Sequence, residues 1–288
     1  MRLNRGTLAL LLTLLIWGST YAISKTVLRA VGPLTLTGLR FLIAFVVMAP
    51  IAARQGLRPR QFLRPQFVLF GLTGVALFYG LQNVGLEFTS VSSTVLIQSI
   101  IPVITVVLAV LFLRERLSRR QIVGALLVTI GIVLVGLASA GDASSSNPLL
   151  GNILVFGSAL AWAIYTIQGR RLAGAYPVTV MSAASIAAGL VFLCPLVAWE
   201  LSTGASFHPG LVDVLGIVYL GVVASGLATF LWNYALQYLP ASVASPYINL
   251  VPVIGLMGAL LIGEKIPLIQ IAGGCLAILG VWLSHSAA

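Results

Sequence analysis

The chain is written as long apolar runs separated by short breaks rich in charge, glycine or proline. A helical run bridges the hydrocarbon of a bilayer once it holds about 20 mostly apolar residues. On that rule the pattern predicts spans at 7–25, 33–53, 67–86, 92–113 and 119–139. Beyond a Gly141 to Pro148 linker it predicts five more, at 149–169, 178–199, 211–236, 241–263 and 267–284. The expected fold is an all-α membrane protein of ten transmembrane helices. Arg2 and Arg5 ahead of an apolar run, with Ala22-Ile23-Ser24 beyond it, also fit a signal peptide. The polar and aromatic stretch Trp17 to Ser24 overruns an ordinary signal core, and the segment has a counterpart later in the chain, so a span is the better reading.

Composition narrows the function. Of 288 residues, 59% are hydrophobic and 8% charged, against about 25% charged in a soluble domain. The polar stretches Arg54 to Gln66, Ala140 to Pro148 and Glu200 to Pro209 are too short to bury a core. No G-x-x-x-x-G-K-[ST] occurs, which excludes an attached P-loop ATPase. Cys194 and Cys275 lie in apolar runs with no C-x-x-C and no neighbouring histidine, so they are expected to be buried small hydrophobes, and no metal or cofactor is expected.

The net charge of +10 would suggest nucleic acid in a soluble chain, but here the basic residues flank spans. Alternating the loops between two faces puts Arg2, Arg5, Arg54, Arg58, Arg60, Arg64, Arg114, Arg116, Arg119, Arg120, Arg170 and Arg171 on one face, with Glu115 as its acid. The other face takes Lys25, Arg29 and Lys265 with Glu87, Asp142, Glu200, Asp213 and Glu264. The bias predicts cytoplasmic termini.

The sequence repeats itself. Ile101-Pro102-Val103-Ile104, Glu115 and Gln121-Ile122-Val123-Gly124 return as Val251-Pro252-Val253-Ile254, Glu264 and Gln270-Ile271-Ala272-Gly273, offset by 150 residues and then 149. Asn83 and Asn233 share the offset of 150, and Trp17 to Lys25 aligns with Trp162 to Arg170 at 145. The halves are 1–140 and 148–288, with five spans each. An odd number of spans forces the second copy to enter the membrane from the opposite side, and inverted repeats of this kind are transporter architecture.

Trp17-Gly18-Ser19, Arg40-Phe41 and the two Pro…Glu…Gln-x-x-Gly stretches resemble the ten-helix EamA type of the drug/metabolite transporter superfamily, over both halves of the chain. Bacterial exporters of aromatic and other amino acids belong to that group. The resemblance implies an inner-membrane exporter of amino acids or related small metabolites.

Polar side chains inside the membrane should face partners or a water-filled cavity. Tyr79, Gln82 and Asn83 stand at i, i+3 and i+4 on one face of the third span, and Thr229, Trp232 and Asn233 mirror them in the eighth. Thr13, Trp17, Thr20, Tyr21 and Ser24 form a stripe in the first span; Ser158, Trp162, Tyr165 and Gln168 form another in the sixth. Gln98 and Asn249 add amides near the middle of the fourth and ninth. The functional reading is a substrate cavity lined by Trp17, Tyr21, Tyr79, Gln82, Asn83, Gln98, Trp162, Tyr165, Trp232 and Asn233, suited to a small amphipathic or zwitterionic solute. The competing reading is interhelical adhesion, at about 0.6 kcal/mol per contact.

Arg40, seven residues past Pro33, falls about 10 Å inside the membrane. It either meets a substrate carboxylate, snorkels, or pairs with helix-end carbonyls. Pro102 and Pro252 sit at matching midpoints and should kink their helices as paired hinges. Glycines seven apart in the fifth and tenth spans, and Gly255, Ala259 and Gly263 in the ninth, predict close seams. The fifth and tenth spans are expected to be scaffold, or the contact of a homodimer. The 6 acids and 2 histidines all fall in loops or at span ends. That argues against an embedded enzyme and for uniport or exchange over proton coupling. A non-catalytic assembly subunit is the remaining alternative.

Overall fold

A computed structural model of the protein describes residues 4–58, 60, 63–89, 94, 97–138, 147–254 and 267–285. Regular structure among them is helical, with isolated β-bridges at Val31 to Phe207 and Ala173 to Tyr176. Helix α1 spans Arg5–Val27 and α2 Pro33–Arg54. Helix α3 joins Pro65–Gly71 to Phe78–Phe88 through a π-helical stretch, Leu72–Leu77. Helix α4 covers Ile101–Leu108 and ends in π form over Ala109–Leu113, and α5 covers Arg119–Ala138. Helices α6 and α7 are Pro148–Leu172 and Val178–Ser202. Helix α8 joins Leu211–Tyr219 to Ala228–Tyr238 through a second π-helical stretch, Leu220–Leu227. Helices α9 and α10 are Ala241–Ile248 and Leu268–His285.

The starts are written in the sequence. Asn4 and Asn147 cap α1 and α6 by accepting from the backbone N–H of Thr7 (2.8 Å) and Leu150 (3.2 Å). Prolines 33, 65 and 148 open their helices, where the missing N–H would have had no partner anyway.

Helices α2, α6, α7, α8 and the Pro65–Gly85 part of α3 are long and apolar enough to cross a membrane; shorter apolar stretches lie in α1, α4, α9 and α10. Contacts between loops sort the ends onto two faces. His208 N–H donates to Ala30 O (2.9 Å), joining the α1–α2 and α7–α8 loops on the far face. On the N-terminal face, Arg64 donates to Tyr176 Oη, Arg170 to the carbonyls of Leu236 and Gln237, and Arg171 to that of Phe112. These arginines thus also neutralise the negative C-terminal ends of α8 and α4.

The exterior is greasy: Leu15, Val46, Leu111, Val191 and Leu215 are exposed. Cys194 and Cys275 belong to this exterior, which corrects the expectation that they are buried. Both sit on helix faces that the bundle turns outward.

Helices α2, α4 and α5 each pack on the helix that the sequence repeat makes their counterpart, α7, α9 and α10, while α1 packs on α8 and α3 on α6. The α5–α10 contact is a glycine seam. A Cβ on Gly124 would lie 2.5 Å from Gly280 O, and one on Gly131 2.5 Å from Gly273 O, so only glycine permits this backbone approach. The seam joins α5 and α10 within one chain. A homodimer through these helices would have to use their outer residues, such as Ile130 and Ile278. The expected ninth-span seam of Gly255, Ala259 and Gly263 lies outside the described residues, as does Glu264.

At Pro102 and Pro252 the outcome differs from a kink. Helix stops at Gln98, turns through Ser99 and Ile100, and restarts at Ile101; α9 likewise stops at Ile248, turns at Asn249 and resumes. Each proline falls in the first turn after a break, where it lacks no helical bond. The breaks touch: Asn249 Nδ2 donates to Ser99 O (2.9 Å), its own counterpart 150 residues away. Thr129 Oγ1 donates to the same carbonyl (3.2 Å). Side chains thus satisfy backbone that the hydrocarbon cannot.

Candidate functional site

Trp17 of α1, Phe41 of α2, Gly74, Val75 and Tyr79 of α3, Trp162 and Tyr165 of α6, and Thr229 and Trp232 of α8 surround a central void. Three indoles meet there, with ring centroids 5.4 Å apart for Trp17–Trp162, 5.7 Å for Trp17–Trp232 and 5.5 Å for Trp162–Trp232. The void measures about 10 Å³, at the threshold for a single water and far below the roughly 300–1,000 Å³ of a ligand pocket. This conformation is closed.

The walls carry unspent hydrogen-bonding capacity. Trp17 Nε1 donates to Ala224 O (3.1 Å), in the π-helical stretch of α8. The indole N–H groups of Trp162 and Trp232, residues 3% and 0% exposed, have no partner among the described residues. A buried donor left unmade costs about 1–3 kcal/mol.

Arg40 stands beside the void. It is 8% exposed, its guanidinium carbon lies 5.3 Å from the Tyr79 ring centroid and 5.7 Å from that of Phe41, and Nε donates to Ser225 Oγ (2.6 Å). No carboxylate pairs with it among the described residues. The side chain is buried, and among the described residues its hydrogen bond goes to a hydroxyl, not to a carbonyl. At the centre of a spanning helix arginine costs roughly 2.5–3.5 kcal/mol, less off centre, and the two rings offset part of the cost for Arg40.

The structure separates the other predicted residues. Asn83 Nδ2 donates to Thr37 Oγ1 (2.8 Å), and Asn233 Nδ2 to Ser182 Oγ (3.0 Å), so the paired asparagines tie α3 to α2 and α8 to α7. Asn233 also accepts from Tyr165 Oη (3.1 Å). Neither asparagine walls the void. Gln82 and Gln98 lie off the wall too, each with one buried atom, Oε1 and Nε2, lacking a partner among the described residues. The side chains of Tyr21 and Glu87 lie outside the described residues.

Several site residues gave no polar signal. Gly74 is on the wall because a Cβ there would sit 2.1 Å from Tyr165 Cδ2. Val75 and Ser225 are placed by π-helical stretches, which rotate the residues that follow and which periodicity does not reveal.

Carboxylates close both ends. On the far face Glu200, 7% exposed, accepts from Leu34 N (2.9 Å), Thr35 N (2.7 Å) and Thr35 Oγ1 (2.7 Å), capping α2 from the end of α7. On the N-terminal face the half-buried Glu115 accepts from Ala241 N (3.0 Å), Ser242 N (3.2 Å) and Ser242 Oγ (2.5 Å), capping α9 from the end of α4. By sequence both acids fall in loops or at span ends, because a cap supplied by another helix has no local spacing.

The profile of the EamA-like transporter family matches residues 4–137 and again residues 149–285. The chain belongs to the EamA-like transporter family. It is 29% identical to an uncharacterized transporter of Archaeoglobus fulgidus, over 96% of this chain and 97% of that one. It is 29% identical to a probable terminal-alkyne amino-acid exporter of Streptantibioticus cattleyicolor, over 98% and 94%. A probable amino-acid metabolite efflux pump of Salmonella typhimurium is 26% identical, over 97% and 94%. A solved crystal structure, 22% identical, superposes on 98% of this chain and 97% of its own with a TM-score of 0.84, a likeness of fold. As an EamA-like transporter the chain is a multi-pass membrane protein, and its apolar exterior faces lipid.

Proposed function

We propose that the protein exports neutral, chiefly aromatic, amino acids and related small metabolites across the inner membrane by alternating access, as a uniporter or exchanger. The observation that carries this reading is the closed void walled by three indoles, with two buried N–H donors awaiting an acceptor. The names of the Streptantibioticus and Salmonella relatives support the substrate class. In this reading the chain crosses the membrane ten times as two inverted repeats, 1–140 and 148–288, with both termini cytoplasmic. The arginine bias and the packing of α2, α4 and α5 on α7, α9 and α10 support that arrangement. Trp17, Tyr79, Trp162, Tyr165 and Trp232 form the substrate wall, with Tyr21, Gln82, Asn83, Gln98 and Asn233 around it. The broken helices beside Pro102 and Pro252 supply the hinge.

Counterflow in proteoliposomes tests the proposal. Vesicles preloaded with unlabelled L-phenylalanine should accumulate labelled L-phenylalanine without an ion gradient, and Trp162→Ala should abolish it. No counterflow with any of the twenty amino acids would end this reading, and accumulation driven only by an imposed proton or sodium gradient would replace uniport with ion coupling.

A further inference from the structure

The closed site is rich in donors and holds a cation with no anion. Arg40 is buried, held by Nε on Ser225, and stacked over two rings that wall the void. The indole N–H groups of Trp162 and Trp232 are buried without acceptors among the described residues. No carboxylate pairs with the guanidinium among the described residues, so its charge is uncompensated in a low-dielectric interior.

We infer that the solute binds through a carboxylate, seated on Arg40 once Tyr79 moves aside, and that its amino group is dispensable. This rests on the transport reading above and names the chemistry of its substrate. The argument is one of charge. A monocarboxylate anion neutralises the guanidinium, through a fork that matches both carboxylate oxygens. A zwitterionic amino acid supplies the same carboxylate but leaves the net positive charge of the site unchanged. An amine without a carboxylate brings a second positive charge and no acceptor for Trp162 or Trp232. The substrate class is therefore amphipathic monocarboxylates with an apolar or aromatic body, α-amino acids being one subset and des-amino acids another. Cationic amphipaths are excluded.

Three probes of like size separate the claims: 3-phenylpropionate, L-phenylalanine and 2-phenylethylamine. Binding is read by quenching of tryptophan fluorescence in the purified full chain, and movement by counterflow in proteoliposomes. The acid and the amino acid should bind within about tenfold of one another, and the amine at least about tenfold more weakly than either. Arg40→Gln should weaken both carboxylates by about 10- to 100-fold and leave the amine unchanged or improved. Arg40→Lys, which keeps the charge but not the fork, should fall between. Trp162→Phe, which keeps an aromatic ring and removes the donor, should weaken the carboxylates several-fold, so the inference survives if Arg40→Gln fails to fold.

Equal binding of amine and acid, binding of L-phenylalanine without 3-phenylpropionate, or no binding of any probe overturns the inference. Counterflow with no preference for carboxylates overturns it while leaving the transport reading intact. Carboxylate binding without counterflow supports the Arg40 site and removes the transport reading.

Discussion

In the half of the bundle toward the far face, Asn83 donates to Thr37 and remains half-buried. In the half toward the N-terminal face, Asn233 makes the same bond to Ser182, accepts a second from Tyr165 and is fully buried. The bonds correspond, since Thr37 and Ser182 are 145 residues apart and the asparagines 150. The third partner does not. The position matching Tyr165 is Thr20, whose hydroxyl reaches only the Trp17 carbonyl of its own helix (2.7 Å). At the mouths the asymmetry reverses. Glu200 is buried on the start of α2, whereas its counterpart Gln55 meets Thr179 in an exposed contact on the N-terminal face. Toward the N-terminal face the better-buried contact of these pairs lies near the middle, and toward the far face it lies at the rim. At these matching positions Thr20 stands against Tyr165 and Gln55 against Glu200.

The largest test is at the rim. Glu200→Ala leaves two buried N–H groups and the Thr35 hydroxyl without their acceptor, and should lower unfolding stability in detergent by about 3 kcal/mol. Gln55→Ala, at an exposed contact, should change it by less than about 0.5 kcal/mol. Equal losses would erase the contrast between the mouths.

At mid-depth the order of the repeats is exchanged. Asn233→Ala strands Tyr165 and Ser182 and should cost about 2 kcal/mol, against about 0.6 kcal/mol for Asn83→Ala, the average for one polar contact between membrane helices. If Asn83→Ala proves the more costly, the half toward the far face is the better sealed and the comparison inverts.

Tyr165→Phe keeps the stack on Phe70, whose ring centroid is 4.3 Å away, and removes only the hydroxyl. A loss of about 1 kcal/mol is expected, with faster hydrogen exchange confined to 228–238 of α8. Exchange that rises equally in α3 would show the halves to be coupled.

A small loss of stability is expected at the crossing of the broken helices. Asn249→Ala removes one donor to Ser99 O, and because the Thr129 hydroxyl still donates there, stability should fall by only about 0.5 kcal/mol. Counterflow, if the crossing is the hinge, should change by more than that figure implies. A variant that transports at the normal rate would make the break a packing feature.

The positions of the helices were legible in the chain because the hydrophobic requirement of a span is local: α1, α2, α6 and α7 start and stop within a few residues of the apolar runs, and their starts fall at prolines and asparagines that are themselves the signal. The aromatic wall was legible for a related reason. Trp17, Tyr79, Trp162, Tyr165 and Trp232 are large polar-tipped rings in apolar surroundings, so they stand out at helical spacing. The same pattern marked Asn83, Asn233, Gln82 and Gln98 as wall residues, since spacing shows which face a side chain takes but not which neighbour arrives there. The π-helical stretches of α3 and α8 turn that face away from its ideal course, and Thr37 and Ser182 take the asparagines first. Cys194 and Cys275 show the complementary limit, because in a membrane an apolar run is compatible with lipid on one side and protein on the other.

The amino-acid sequence by itself determined an all-helical membrane chain, its duplication, its charge bias and the presence of an arginine where hydrocarbon should be. Only the tertiary structure decided that Arg40 has Ser225 and two rings for company, that Glu115 and Glu200 close helix ends far from them in sequence, and that Ser99 and Asn249 meet at the crossing. Each of these depends on which helices lie side by side, and that is settled by the packing of whole surfaces, such as the glycine seam of α5 and α10, to which no single residue's spacing corresponds.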